Sequence, residues 1–274
     1  MPGQSFQFDT VGVLYSGGTD STLAAVLMLR EARKVVLLTF DPGYVFFLAN
    51  TQVHARMLAE RFGEERVEQR VIDVRPLVGR LLFGAARSDF KKYAFGLTSL
   101  VCLGCRLSMH AAAIIHLLES GIPYLADGAI RQQCDTPEQM ESTLESQREH
   151  YMERYGLVHM SPLYEEARSD LVLQEMGLAA FPALKKQFIL YDTQATCPFG
   201  VSADVYARIF YRPWLMGDRR ERDAACYRED KYPVMEQVIR EHFESKGQSL
   251  EELVRSVRAT VERDRQWNSQ GAGQ

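Results

Sequence analysis

A stretch with strand character, Val11-Gly12-Val13-Leu14-Tyr15, runs directly into Ser16-Gly17-Gly18-Thr19-Asp20-Ser21-Thr22, and an apolar helical pattern begins at once. This junction constrains the fold more than any other part of the chain. A strand, a tight glycine turn and a helix in immediate succession open a parallel α/β unit. Two adjacent glycines lack Cβ atoms, so they reach unusual dihedrals and let an anion approach the backbone. Ser16 and Ser21 add hydroxyls. The helix that follows directs its unpaired N–H groups and its positive dipole end at the same place. The junction points to a nucleotide.

It is not a Walker A loop, which places a lysine directly before Ser/Thr; here Asp20 precedes Ser21. An acid in a phosphate loop repels its ligand unless a divalent cation lies between them, so Asp20 points to Mg²⁺–ATP. The simpler alternative is a helix cap at Asp20.

The alternation continues. Residues 20–33 read as a helix, 35–40 as a second strand closed by Asp41-Pro42-Gly43, 51–62 as a helix and 66–74 as a third strand. Helix and loop follow to residue 100. A strong helical pattern over 106–119 leads to a strand at 122–126, with Asp127-Gly128 at its end. A long charged helix over 137–155, a short strand at 157–160 and a helix over 164–176 complete an α/β portion. The predicted fold is a parallel twisted sheet flanked by helices, Rossmann-like. In such sheets ligands sit beyond the carboxyl ends of the strands, where Ser16, Asp41 and Asp127 all fall. Asp127 has two readings there: it caps the turn before residue 129, or it binds Mg²⁺ or the activated substrate. From residue 181 prolines and aromatic residues break up the pattern, and two polar helices over 234–267 follow, with a disordered tail at 268–274. The expected division is an ATP-binding domain at 1–180 and an irregular, mostly helical extension at 181–274.

The string Ser16-Gly17-Gly18-Thr19-Asp20-Ser21 resembles the signature of the PP-loop ATP pyrophosphatases, the adenine nucleotide α-hydrolase-like superfamily. The resemblance covers roughly residues 8 to 180. It implies cleavage of ATP between the α- and β-phosphates and transfer of AMP to a substrate oxygen. It also implies a nucleotide site built from Tyr15, Ser16, Gly17, Gly18, Thr19, Asp20, Ser21, Thr22 and Gly128. Strand-two groups near adenine would be Phe40 or Asp41.

Five cysteines are present: Cys102, Cys105, Cys134, Cys197 and Cys226. Cys102-Leu103-Gly104-Cys105 has the spacing of a shared metal ligand pair, though zinc is strongly indicated only by a second such pair. Three thiolates can instead hold a [4Fe–4S] cluster with one iron open. The pattern is similar to the cluster-dependent tRNA 2-thiolation enzymes and to ATP-dependent sulfur-insertion enzymes of nickel-pincer cofactor synthesis. Their aspartate-glycine step looks like Asp127-Gly128, their Ser-Pro-Leu segment like Ser161-Pro162-Leu163, and their late cysteine falls near Cys197. That correspondence implies Cys102, Cys105 and Cys197 as cluster ligands, with Asp20, Asp127 and Cys197 catalytic. Three alternatives stand beside it. Cys102 and Cys105 form a redox pair at a helix start; they join Cys197 and a histidine such as His110 around zinc; or Cys226 replaces Cys197 or carries a persulfide. Cys134, His54, His116 and His159 read as structural.

The residues and the resemblance together predict an ATP-dependent sulfurtransferase. It adenylates a carbonyl oxygen, releases pyrophosphate and replaces the oxygen with sulfur from sulfide or a persulfide carrier. The acceptor is a tRNA base or a small molecule, and a homodimer is compatible. The alternative is an amidating or ligating enzyme with structural zinc. The charge of −4 and the pI of about 5.9 exclude a broad basic surface. Any tRNA contact would be local, through Lys91, Lys92, Arg219, Arg220 and Arg222, with Lys185-Lys186 a further cluster. No run reads as long enough to span a bilayer and no signal peptide is recognised, so a cytoplasmic enzyme without a membrane partner is expected.

Overall fold

A computed structural model of the chain describes residues 6–93, 97–131, 140–165, 173, 176–178, 194–199 and 217–271. Five strands form one sheet: β1 (Phe8–Leu14), β2 (Ala32–Asp41), β3 (Val67–Asp73), β4 (Tyr124–Ala126) and β5 (Val158–Met160). Their order is β3-β2-β1-β4-β5, and every pairing is parallel. The strand order reverses between β1 and β4. A crevice opens there at the carboxyl ends of an α/β sheet, which is where such sheets take their ligands.

Helices cover both faces. On one side lie α1 (Thr19–Glu31) and α2 (Gln52–Phe62). Val35 and Leu37 of β2 face them with Val11 and Val13 of β1. On the other side lie α3 (Arg75–Leu81), α4 (Ala86–Lys92) and α5 (Leu97–Ser120). Val36, Leu38 and Phe40 of β2 pack toward that side. The run of apolar residues in β2 follows from this: a central parallel strand is buried on both faces. After β4 come α6 (Glu141–His150), a π-type turn over Tyr151–Tyr155 that buries both tyrosines, and β5. Two long helices, α7 (Gly217–Ser245) and α8 (Leu250–Gly271), end the described chain.

Four expectations change. The helix predicted from residue 106 starts at Leu97, because the single Gly104 does not stop a helix whose flanks are apolar and packed. Leu100–Ser120 of α5 is long and apolar enough to cross a membrane, contrary to the sequence reading, but Ala111, Ala113, Ile114 and Leu117 are fully buried between the sheet and the C-terminal helices. The helix predicted from residue 234 starts at Gly217 and passes through Pro233. The backbone bond lost at proline costs about 3 kcal/mol, and burial of Tyr227, Met235, Ile239 and Phe243 on either side offsets it. The helix α8 likewise runs to Gly271, through most of the tail expected to be disordered. The boundary at residue 180 and most of the predicted helix over 164–176 lie outside the described residues.

Candidate functional site

The loop after β1 is shaped by its own hydroxyls. Gly17 has φ of +80°, a conformation that disfavours any side chain. The Ser16 N–H donates to Ser21 Oγ at 3.3 Å, and the two seryl oxygens lie 3.1 Å apart. Ser21 Oγ and Thr22 Oγ1 both donate to the Gly18 carbonyl, at 3.1 and 2.7 Å. Beneath the loop His54 of α2 is buried, with Nδ1 3.0 Å from the Gly17 carbonyl oxygen. That oxygen can only accept, so Nδ1 carries the proton. Gly18 is the N-cap of α1, and no side chain caps the helix. Its first turn therefore offers backbone donors and a positive dipole end to whatever occupies the crevice.

The crevice is a cleft of about 620 Å³, ample for a nucleotide-sized ligand. The predicted residues Tyr15, Ser16, Gly18, Thr19, Asp20, Ser21, Phe40, Asp127, Gly128 and Cys197 all line it. Gly17 and Thr22 shape the loop from below. Asp41 does not line the cleft: its Oδ1 accepts the Gly43 N–H at 2.8 Å and closes the turn after β2. Val45, Leu48 and Thr51 join Phe40 to make one apolar wall.

At the β4 side the backbone of Gly128 presses on the loop. A Cβ there would stand 2.7 Å from the Ser21 nitrogen and 2.8 Å from the Asp20 carbonyl carbon. Asp127 is buried and engaged at both oxygens. Oδ1 accepts the Ala129 N–H at 3.1 Å; Oδ2 accepts from Arg106 at 3.2 Å and from His159 Nε2 at 3.1 Å. Burial alone would raise its pKa; His159, Arg106 and the Ala129 N–H outweigh burial and hold it far below the usual carboxylate range. The Ala129 bond is the turn cap of one sequence reading, and Asp127 lines the cleft as well.

Sequence reasoning passed over Arg106 and gave His110 only as a zinc alternative. Both line the cleft, four residues apart on α5 and so on one helix face. His110 is buried, and neither ring nitrogen has a hydrogen-bond partner among the described residues; nor has Arg106 Nε. Each such orphan costs about 1–3 kcal/mol. Burial, then the charges of Arg106 and His159, push the His110 pKa well below that of free imidazole, so the ring is neutral.

The segment 194–199 crosses the cleft mouth through a two-way bridge: Phe46 N–H to the Thr196 carbonyl at 2.9 Å, and Thr196 N–H to the Phe46 carbonyl at 2.8 Å. Phe199 packs edge-on against Tyr44. This brings Cys197 to the cleft and near Tyr44. Burial first, then Cys105, Cys197 and Cys102, hold the Tyr44 phenol far above its ordinary pKa, so all three thiols lie within electrostatic reach of its hydroxyl. That hydroxyl is buried beside the Cys105 thiol, which acts as its hydrogen-bonding neighbour. Burial pushes the Cys105 thiol up to about 11, with Tyr44 lowering it and Cys197 raising it.

Cys102 and Cys105 lie within α5 rather than before it, and neither lines the cleft. Among the described residues no three His, Cys, Asp or Glu side chains stand close enough to hold one metal ion. Neither the zinc alternative with His110 nor the predicted set of Cys102, Cys105 and Cys197 is gathered into a metal site among these residues. A four-iron cluster bonds each thiolate to a different iron, so it takes thiols that are further apart. Cys102, Cys105 and Cys197 are an all-sulfur set within reach of one buried hydroxyl, and thiols are the donors such a cluster takes. Cys226 is exposed on α7, where its carbonyl meets the Tyr93 hydroxyl. Cys134 and Lys185-Lys186 lie outside the described residues, as do the side chains of Arg219 and Arg220. Lys92 is paired with Asp230.

No family model and no curated protein matches the chain. Solved structures similar to it include two with tRNA-related descriptions. One is described as a predicted subunit of tRNA methyltransferase from Methanocaldococcus jannaschii: 21% identity, 61% of this chain and 74% of that one covered, TM-score 0.40. The other is the U34-tRNA thiolase NcsA from Methanococcus maripaludis with its [4Fe–4S] cluster: 15% identity, 83% and 72% covered, TM-score 0.40.

Proposed function

We propose that the protein is an ATP-dependent sulfurtransferase. One observation carries the reading: the hydroxyl-braced loop at the start of α1 and the thiol of Cys197 border the same cleft. ATP would lie with its β- and γ-phosphates on the loop and its base against Phe40, Val45 and Leu48. Asp20 would hold Mg²⁺, since both oxygens of Asp127 are engaged in the fold.

The acceptor carbonyl oxygen bonds to the α-phosphorus, and the bridge to the β-phosphate breaks with its electron pair on pyrophosphate. Loop N–H groups stabilise that charge. The acceptor carbon now carries AMP as a leaving group. Hydrosulfide bonds to that carbon, the C–O bond breaks to release AMP, and loss of the S–H proton leaves the thiocarbonyl. Cys102, Cys105 and Cys197 would hold an iron–sulfur cluster, whose chemistry when bound is to carry sulfur on an open iron. The acceptor class is a carbonyl compound, either a tRNA base or a small molecule.

Anaerobically purified protein supplied with Mg²⁺–ATP and an acceptor is expected to form AMP and pyrophosphate, and to carry iron that absorbs in the visible. Serine at Cys102, Cys105 or Cys197 lowers the iron content, whereas serine at Cys226 leaves it unchanged. ADP and phosphate as products would overturn the adenylation. A colourless, iron-free protein after anaerobic reconstitution would overturn the cluster.

A further inference from the structure

We propose that the protein has a second ligand site, an arginine-lined cavity between α7, α8 and the turn before β5, and that it takes a compact phosphate anion of charge −2 or more. The cavity has a volume of about 410 Å³, in the range of small-ligand sites. Its place in the fold separates it from the nucleotide cleft. Arg154 and Tyr155 stand just before β5, so they lie at the amino edge of a parallel sheet whose carboxyl edge carries the cleft. No residue lines both cavities. The site therefore stands or falls independently of the adenylating reading.

The ligand class follows from charge. Among the described residues, Arg154, Arg240, Arg255 and Arg258 line the cavity against Glu236 and Glu251. Two of the arginines are matched: Arg154 pairs with Glu236 at 3.1 Å and Arg240 with Glu251 at 2.7 Å. Arg255 and Arg258 have no carboxylate partner among the described residues. Two positive charges are left over in one concavity, in a chain whose net charge is −4. They stand three residues apart on α8, where side chains are neighbours and like charges repel. An anion of matching charge removes that repulsion. Each guanidinium presents paired N–H donors that fit two phosphate oxygens at once. A phosphodiester backbone, with one charge per phosphate, does not match two guanidiniums converging on one point.

The surroundings hold these groups in place. Arg258 donates to the Glu153 carbonyl. Its aliphatic stem lies over Gly156, where a Cβ would collide with it. That glycine has φ of +69° and closes the turn, so its missing side chain serves both the turn and the arginine. Leu250, Val254 and Tyr155, each buried, supply the apolar part of the lining. Charges beside such a surface are screened less than charges in open water.

The test titrates the ¹⁵N-labelled full chain at low ionic strength and follows the backbone amides of Arg255 and Arg258. Inorganic pyrophosphate and glycerol 3-phosphate are the two candidate sources of the anion. Dimethyl phosphate supplies the singly charged diester of an RNA backbone, and sodium chloride matches the ionic strength. Saturating shifts at both amides are expected with pyrophosphate or glycerol 3-phosphate, and the tighter of the two identifies the source. No saturating shift with either, equal shifts with sodium chloride, or equal affinity for dimethyl phosphate would overturn the site. Arg255→Gln removes an exposed side chain without an ion pair, so the fold is retained. Affinity read at the Arg258 amide is expected to fall at least tenfold in this variant, and unchanged affinity would overturn the assignment. The amides of Gly17 and Gly18, titrated with Mg²⁺ and α,β-methylene-ATP, which cannot be cleaved at the α–β bridge, report the nucleotide cleft separately. If they respond while Arg255 and Arg258 stay silent to both phosphates, only the second site fails; if they alone stay silent, only the nucleotide reading fails.

Discussion

At the scale of single residues, the phosphate loop depends on an atom that is absent. Gly128 contributes no side chain to the cleft, yet its Cα lies against the first turn of α1. The atoms a methyl group would strike, Ser21 N and Asp20 C, belong to backbone and cannot rotate away. Gly128→Ala therefore has to push the start of α1 away from β4. The expected result is a folded protein whose affinity for Mg²⁺–ATP falls by at least tenfold, measured by calorimetric titration, with a loss in melting temperature of only a few degrees for about 1 kcal/mol. Unchanged affinity would show that the loop tolerates displacement. At Gly18 the nearest atom to an added Cβ is the end of the flexible Gln194 side chain, so Gly18→Ala is expected to be milder. The Ser-Gly-Gly string was legible in the sequence because its chemistry is local. His54 and Arg106 were not, because their partners lie 37 and 21 residues away, and neither residue belongs to a local motif.

At the scale of elements, Asp127 ties three of them together: it ends β4, takes Arg106 from α5 and takes His159 from β5. Its folded pKa lies below that of an unfolded aspartate, about 3.9, so the unfolded chain binds the proton more tightly. The stability this group contributes is full above about pH 4 and is lost as pH falls toward the folded value. Asp127→Asn keeps an oxygen for the Ala129 N–H but leaves the half-buried Arg106 without its counter-charge. Urea titrations at pH 7 are expected to show a loss of about 3–5 kcal/mol, with a shallower decline than the wild type between pH 4 and pH 2. Parallel acid profiles for the two proteins would show that Asp127 is not what the acid reads. The same elements show what the sequence pattern conveys. The strands β1 and β2 were legible within a few residues because their apolar runs are bounded by turn residues, and β3 because it follows a helix and precedes a proline in the α/β alternation. The start of α5 was missed because packing overrides the preference of Gly104, and the clamp on Asp127 was missed because it joins three separated elements.

At the scale of the whole molecule, the C-terminal helices share the core of the sheet. Tyr227, Met235, Ile239 and Phe243 of α7 and Val257 of α8 are all but fully buried, in one cluster with Leu107, Ala111, Ile114 and Leu118 of α5. The helix α5 in turn carries Cys102, Cys105, Arg106 and His110. A chain ending at residue 180 would expose the outer face of α5, the most apolar helix in the structure, to water. Large exposed apolar patches of that kind lead to association. The fragment 1–180 is therefore expected to be recovered as aggregate, whereas the full chain stays dispersed in gel filtration at the same concentration. Phe243→Ala probes the same contact without cutting the chain. It removes a fully buried ring more than 100 residues from the loop in sequence, and a cost of about 3–5 kcal/mol is expected in urea unfolding. The measurement that decides the matter is the nucleotide site of that variant at 10 °C, where it remains folded. Unaltered affinity for α,β-methylene-ATP would assign the C-terminal helices to stability alone. A parallel loss of affinity would mean that α7 positions α5, and through it Arg106 and His110, against the cleft.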